Sequence, residues 1–348
     1  MNSFAASLRF PAEWEKHEAT WIAWPHNSRD WPGKFHPIPW VYSEIVRYIA
    51  RGEIVRILIQ DKIHRKKAES ILKASGTNFA NVEFHTFKTD RSWLRDSAPV
   101  FVKNSSETVA VHFKFNGWAK YDNYKNDMNI PLFIAGKQSV NLIKATYESR
   151  HVVLEGGSID TNGNGTLITT EECLLDEAIQ PRNPGFTKKE YEKIFTDLLG
   201  IKNTVWLGKG IVGDDTHGHV DDLCRFVNKN TIILVQEDNP DDQNYKVLNE
   251  NRERLQDARL EDGTKPEIIF LPMPAEVIFK GERLPASYAN FYISNFAVLV
   301  PTFNDPNDRI ALGILSEIIT DRPVIGIHSV DLVWGLGTLH CLTHEQPL

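Results

Sequence analysis

The chain has 348 residues, 41% hydrophobic and 24% charged, enough for a large soluble core in one big domain or two ordinary ones. Its net charge of −7 argues against nucleic acid as the main partner and is compatible with a cationic ligand. No window approaches ~20 consecutive apolar residues, which excludes a membrane-spanning helix, and three cysteines are too few for a disulfide scaffold and fit a reducing cytoplasm.

Arg9, Glu13 and Glu15 interrupt the N-terminal stretch, so neither a signal peptide nor an anchor is expected. Ala19 to Trp24 reads as a short buried strand ended by Pro25, followed by a loop from His26 to Pro37. Val41, Ile45 and Ile49 share one face of a helix over about Trp40 to Ala50. Strand Ile54 to Ile59, helix Lys62 to Ala74 and strand Val82 to Phe87 follow, with Gly52 and Gly76 as the stops. Trp93-Leu94-Arg95-Asp96 then precedes apolar Pro99 to Val102 and the alternating run Val109 to Phe115.

A helical piece near Leu132 to Ala145 leads to strand His151 to Leu154 and to Glu155-Gly156-Gly157-Ser158-Ile159. Asn162-Gly163-Asn164-Gly165 is a hairpin turn, because both glycines tolerate positive φ. Thr187 with Glu190 is a capping box opening a helix that Gly200 closes, before strand Thr204 to Leu207. Leu223 to Val227 and Thr231 to Val235 flank a turn, and a charged helix near Gln243 to Leu260 precedes strand Glu267 to Leu271. Tyr288 to Ile293 with Ala297 to Val300 form a hairpin, followed by a helix near Pro306 to Ile319 and a last clear strand at Pro323 to Ile327. The units recur without a shared repeat sequence, each with a polar loop, at Asp96, Glu155, His219, Asn290 and Cys341. No Pro- or Gly-rich linker divides the chain, so we read residues 1–348 as one α/β domain whose unit loops converge.

The densest chemistry lies in Gly213-Asp214-Asp215-Thr216-His217-Gly218-His219-Val220-Asp221-Asp222. His217, His219 and Asp221 superficially resemble the ligand run of a metallo-β-lactamase-type hydrolase. That run wants a sixth-position histidine where Asp222 stands, and the remaining downstream histidines lie more than a hundred residues away. A second possibility starts at Cys341, which follows a loop containing Gly335 and Gly337 that lets backbone approach a ligand. Cys173 and Cys224 read instead as small buried hydrophobes. A cysteine with a distant histidine can do nucleophilic catalysis, and Asp96, Glu155 and Asp221 at equivalent strand-to-loop junctions suit a guanidinium, whose five N–H donors carboxylates grip bidentately. A binding protein for polyamines could use the same acids without turnover.

Trp93-Leu94-Arg95-Asp96, Glu155-Gly156-Gly157-Ser158-Ile159, Gly218-His219-Val220-Asp221 and His340-Cys341 together resemble the agmatine deiminase and bacterial-type peptidylarginine deiminase family. Pro11-Ala12-Glu13-Trp14, Trp21-Ile22-Ala23-Trp24-Pro25 and Tyr288-Ala289-Asn290-Phe291 extend the resemblance over nearly the whole chain. It implies the fivefold pseudosymmetric α/β propeller of the guanidine-modifying (pentein) enzymes, built from ββαβ-type units, with the active site on the central axis. It also implies Cys341 as nucleophile, His219 as general acid/base, Asp96 and Asp221 as the guanidinium grip and Glu155 as the residue orienting His219. No cofactor or metal is implied. Trp93 or Trp118 would pack on the substrate's aliphatic linker, Asp214 and Asp215 would meet a distal amine, and Asn290 would join the substrate site. Agmatine is the expected substrate, with arginine or peptidyl-arginine as the alternative. Neither nucleic acid nor membrane is expected as a partner, and a homo-oligomer stays open.

Overall fold

The computed structural model describes residues 8–348. Five separate mixed sheets carry the chain, and each contains the same pattern: an antiparallel pair, a crossover, and a third strand parallel to the second. Four of them are continuous in sequence. Their strands are Val100–Lys103, Thr108–His112 and Asn141–Lys144; Asp160–Thr161, Thr166–Thr170 and Asn203–Leu207; Cys224–Phe226, Thr231–Gln236 and Glu267–Pro272; and Tyr292–Ile293, Val298–Thr302 and Val324–His328. The remaining sheet takes its first strand, Thr343–Pro347, from the end of the chain. It pairs antiparallel with His17–Ala23, which runs parallel to Ile54–Ile59, and Val82–Thr86 adds a fourth strand. No sheet among the described residues closes on itself.

The crossovers are helical where the apolar period demands it. Asp61 accepts from the backbone N–H of Ile63 and His64 at 2.8 Å and so starts helix Lys62–Ala74. Thr187 and Glu190 form the reciprocal capping box of helix Lys188–Leu199, and Gly200 ends it at φ 70°. Helices Ile38–Ile49, Gln243–Gln256 and Asn307–Ile318 each touch a strand of their own sheet and one of the preceding sheet, so one helix buries surface against two units. The central strands are accordingly buried over nearly their whole length, as Ile54–Ile59 and Thr231–Gln236 are, with Arg56, Thr231 and Gln236 as their polar members. No described helix is long and apolar enough to cross a membrane.

Three expectations change. The helix near Leu132 to Ala145 is Ile130–Gln138 only, because Ser139 turns left-handed at φ 53° and releases Asn141–Lys144 to pair with Thr108–His112. The strand at His151 to Leu154 shrinks to Arg150–His151 in a small hairpin, with one further bridge from Lys114 to Val153. Thr343–Pro347 is a strand with no apolar signature, since its sequence is Thr-His-Glu-Gln-Pro.

One turn of helix stands immediately before the first strand in four of the five sheets: Leu94–Ser97, Gly156–Ser158, Val220–Asp222 and Leu339–Leu342. The turns 94–97, 156–158, 220–222 and 339–342 pack in a chain of mutual contacts. Asn290 occupies the corresponding place before Tyr292–Ile293. The five polar loops therefore sit at equivalent topological positions.

Candidate active site

Asp96 lies on the turn Leu94–Ser97 and is 4% exposed. Its Oδ1 accepts from the Gly157 backbone N–H at 2.9 Å and its Oδ2 from Trp118 Nε1 at 2.8 Å. Burial raises its pKa above the ordinary carboxylate range, with Glu155 adding to that and His219 opposing. Gly157 has to be glycine here, because a Cβ would lie 2.6 Å from His219 Nδ1 and 2.9 Å from Asp96 Oδ1.

His219 is buried between two carboxylates, Nδ1 3.8 Å from Asp96 Oδ1 and Nε2 3.9 Å from Glu155 Oε2. Both contacts are electrostatic, beyond hydrogen-bond length, and neither ring nitrogen has a hydrogen-bond partner. The Cys173 thiol lies beside the same ring, grouped with Glu155 and His219 within 4.8 Å. Burial alone would lower the imidazole, but Asp96, Cys173 and Glu155 outweigh it and hold His219 well above its usual value. Glu155 is in turn fixed by Arg182, whose Nε donates to Oε1 at 3.0 Å with both groups fully buried. Burial pushes Glu155 up, yet Arg182 and His219 pull it down to about 2.

Cys341 sits on the turn Leu339–Leu342 at the wall of a cavity of about 400 Å³, a volume suited to a small ligand. Its Sγ receives Asn290 Nδ2 at 3.1 Å and stands 3.7 Å from Asp221 Oδ2. Burial, then Asp221, Asp222 and Asp96, push the thiol well above its ordinary pKa, against the Asn290 donor. Asp221 accepts from His340 Nδ1 at 2.6 Å, while its Oδ1 is buried without a partner. Asp222 is buried next to it and accepts from Asn290 Nδ2 at 2.9 Å; burial, Asp221 and Asp214 keep it well above the usual carboxylate range.

The same cavity is lined by Trp93, Asp96, Trp118 and Asp215. Asp215 already accepts from Tyr121 Oη at 2.7 Å and pairs with Lys120. Gly335 and Gly337 are needed for packing at this wall: a Cβ on Gly335 would stand 2.5 Å from Trp31 Nε1, and one on Gly337 3.2 Å from Cys341 Sγ. The structure thus brings together Cys341, His219, Asp96, Asp221 and Glu155, with both tryptophans and Asp215 at the cavity.

Two residues expected at the substrate end lie elsewhere. Asp214 does not reach the cavity; its oxygens accept the backbone N–H groups of Thr216, Gly218 and His219, at 2.7, 2.7 and 2.9 Å, and so shape the loop that carries His219. Asn290 stands behind the thiol, its Oδ1 accepting from Thr338 Oγ1 at 2.8 Å and from the His340 N–H at 3.0 Å. It positions Cys341 from within the core. The metal alternative loses its ligand pair, because His217 turns at φ 63° and bonds Asp176 Oδ2 at 2.7 Å. Neither cluster of potential ligand atoms among the described residues, Glu155–Cys173–His219 or Asp221–Asp222–Cys341, includes His217.

Sequence reasoning missed Arg182, Cys173, Asp222, His340 and Glu13. His340 and Glu13 stand inside the family-like motifs, which was their one available signal. Cys173 is buried in the apolar core as expected, like Cys224, but its thiol also faces His219, and nothing local in the sequence marks that.

The profile of the Porphyromonas-type peptidyl-arginine deiminase family matches residues 9–347. The agmatine deiminase of Pseudomonas aeruginosa (strain LESB58) is 30% identical over 367 aligned positions, covering 99% of this chain and 96% of the relative. The structure of the agmatine deiminase of Enterococcus faecalis superposes with a TM-score of 0.89 at 26% identity, covering 98% and 96% of the two chains. A Porphyromonas gingivalis protein provisionally described as an arginine deiminase superposes at 0.87 with 31% identity and 98% coverage of each chain.

Proposed function

The chain belongs to the Porphyromonas-type peptidyl-arginine deiminase family, and from that premise we propose that it hydrolyses agmatine to N-carbamoylputrescine and ammonia. The observation that carries the reading is the Cys341 thiol at a cavity wall shared with Asp96, with His219 held between Asp96 and Glu155. Full-length similarity to the P. aeruginosa and E. faecalis agmatine deiminases supports agmatine as the substrate. Residues 1–348 act as one catalytic domain, the five mixed sheets forming a pseudo-fivefold propeller with the site at its centre. The enzyme works in the cytoplasm without a cofactor.

Asp96 and Asp221 hold the guanidinium by charge-assisted hydrogen bonds, Trp93 and Trp118 cover the linker, and Asp215 faces the distal amine. In the empty site the surrounding acids keep the thiol protonated; the arriving cation offsets them, and the thiol proton passes to solvent. The thiolate attacks the guanidinium carbon. His219, an imidazolium, protonates the leaving nitrogen, and ammonia departs from an amidino-thioether. Neutral His219 then takes a proton from water as the oxygen adds to that carbon. The C–S bond breaks to return the thiolate, which regains a proton from solvent as the site empties. The ureido product leaves after its second water-derived proton passes to the released ammonia. Positioned proton transfer of this kind is worth ~10²–10⁴-fold.

Arg29 lines the cavity and joins no ion pair among the described residues, which favours a second reading in which the distal group is a carboxylate. A colorimetric ureido assay on agmatine, free arginine and a blocked arginyl peptide separates the two. Agmatine is expected to give the highest kcat/KM, and Cys341→Ser to abolish turnover with an unchanged circular dichroism spectrum. Preference for arginine would replace the substrate assignment, and substantial turnover by Cys341→Ser would remove the nucleophile.

A further inference from the structure

Glu13, His340 and Asp221 form a buried row behind the nucleophile. His340 Nδ1 is 2.6 Å from Asp221 Oδ2, and Nε2 is 2.8 Å from Glu13 Oε2. Ionised carboxylates only accept hydrogen bonds, and a neutral imidazole has a single N–H. Two contacts this short require a proton in each, so the trio holds one proton more than a neutral histidine between two carboxylates provides. Glu13 is not its seat: Oε1 accepts from the Ile293 N–H at 2.8 Å and faces Arg225 Nη2 at 3.0 Å, and Oε2 accepts from Arg95 Nη2 at 3.2 Å. The extra proton therefore lies between Nδ1 and Asp221 Oδ2.

We propose that His340 is a positioning residue that stands as an imidazolium between Glu13 and Asp221 and aims Asp221 at the guanidinium. The groups around it divide. Arg95 and Arg225 oppose another cation, and burial followed by these arginines presses the imidazole down. Glu13 and Asp221 touch it, Glu345 lies 2.7 Å from Arg95, and Asp160 lies 3.0 Å from Arg225. With His340 charged, three cations meet four carboxylates. A neutral ring between two ionised carboxylates would instead set a bare nitrogen lone pair against a carboxylate oxygen at 2.6 or 2.8 Å, a buried contact between two acceptors with no proton to satisfy it. The arrangement leaves Asp221 Oδ1 buried and without a partner, an acceptor with unused hydrogen-bonding capacity.

The role rests on the deiminase reading, whereas the protonation state does not. Protein labelled with 15N in its histidines, with His340 assigned by its loss in His340→Gln, is expected to show both ring nitrogens protonated from about pH 6 to 9. An unprotonated nitrogen of His340 at neutral pH overturns the proposal. In agmatine turnover, His340→Asn keeps a donor near the Nδ1 position and His340→Gln one near Nε2. The expected result is a kcat/KM loss of about 10- to 100-fold for His340→Gln, carried mainly by KM, with partial rescue in His340→Asn. Equal losses in both variants, or a loss in kcat alone, overturn the positioning role. Wild-type protein inert towards agmatine would remove the substrate assignment, and the nitrogen spectrum would still decide the charge on His340.

Discussion

At the scale of single residues, the site is a problem of charge held out of water. Cys341 stands near three carboxyl groups, and burial together with Asp221, Asp222 and Asp96 raises its thiol. The sign is plain: a raised pKa means that little thiolate exists at neutral pH in the resting protein. Alkylation of Cys341 by iodoacetamide, followed by mass spectrometry, is therefore expected to be slow near pH 7 and to rise roughly tenfold per pH unit to about pH 9. A rate that is flat from pH 6 to 8 would contradict a protonated resting thiol. Cys173 and Cys224 are fully buried and should stay unlabelled in folded protein. Glu155 shows the opposite control, because Arg182 at 3.0 Å keeps it ionised beside His219. Residue types and motifs made Cys341, His219, Asp96, Asp221 and Glu155 legible in advance. Arg182 and Cys173 were not, since their meaning lies in what they touch across the fold.

At the scale of elements, local rules did well wherever a short-range device sets the structure. The Thr187 capping box, the left-handed Gly200 and the 162–165 turn, with Gly163 at φ 74° and Gly165 at φ 122°, all stand as expected. Removing such a device should cost stability and nothing else. Thr187→Ala is expected to lower unfolding free energy by about 0.5–2 kcal/mol in urea titration, with kcat/KM unchanged. A selective loss of activity would mean that helix Lys188–Leu199 communicates with the site. The failures lie where pairing with a distant strand decides. Asn141–Lys144 is half-buried and adjoins a good helix, and its partner Thr108–His112 made it a strand. Thr343–Pro347 carries no hydrophobic pattern at all; its burial comes from lying against His17–Ala23.

At the scale of the whole molecule, that last strand joins the two ends of the chain into one sheet and completes the fifth copy of the common pattern. It also leads directly out of the turn that carries Cys341, so Cys341 hangs between a packed turn and a paired strand. Gln346 Oε1 accepts from Trp21 Nε1 at 2.9 Å and from Arg56 Nη1 at 2.7 Å, buried bonds that the strand alone supplies. Deleting residues 343–348 is therefore expected to lower Tm sharply and abolish turnover, because it exposes the edge of a buried strand and frees the Cys341 turn. Thermal unfolding at the wild-type temperature would show instead that the strand is dispensable.

The sequence by itself determined the helices with caps, the apolar central strands, the recurrence of polar loops and the residue types of the site, because each is encoded within a few positions along the chain. Tertiary structure alone decided the rest. It turned His217 away to Asp176, spent Asp214 on backbone N–H groups, set Asn290 behind the thiol, and brought Glu13 to His340 across more than 300 residues. Those outcomes depend on which buried donor finds which acceptor once five sheets have packed, and no spacing along the chain carries that information.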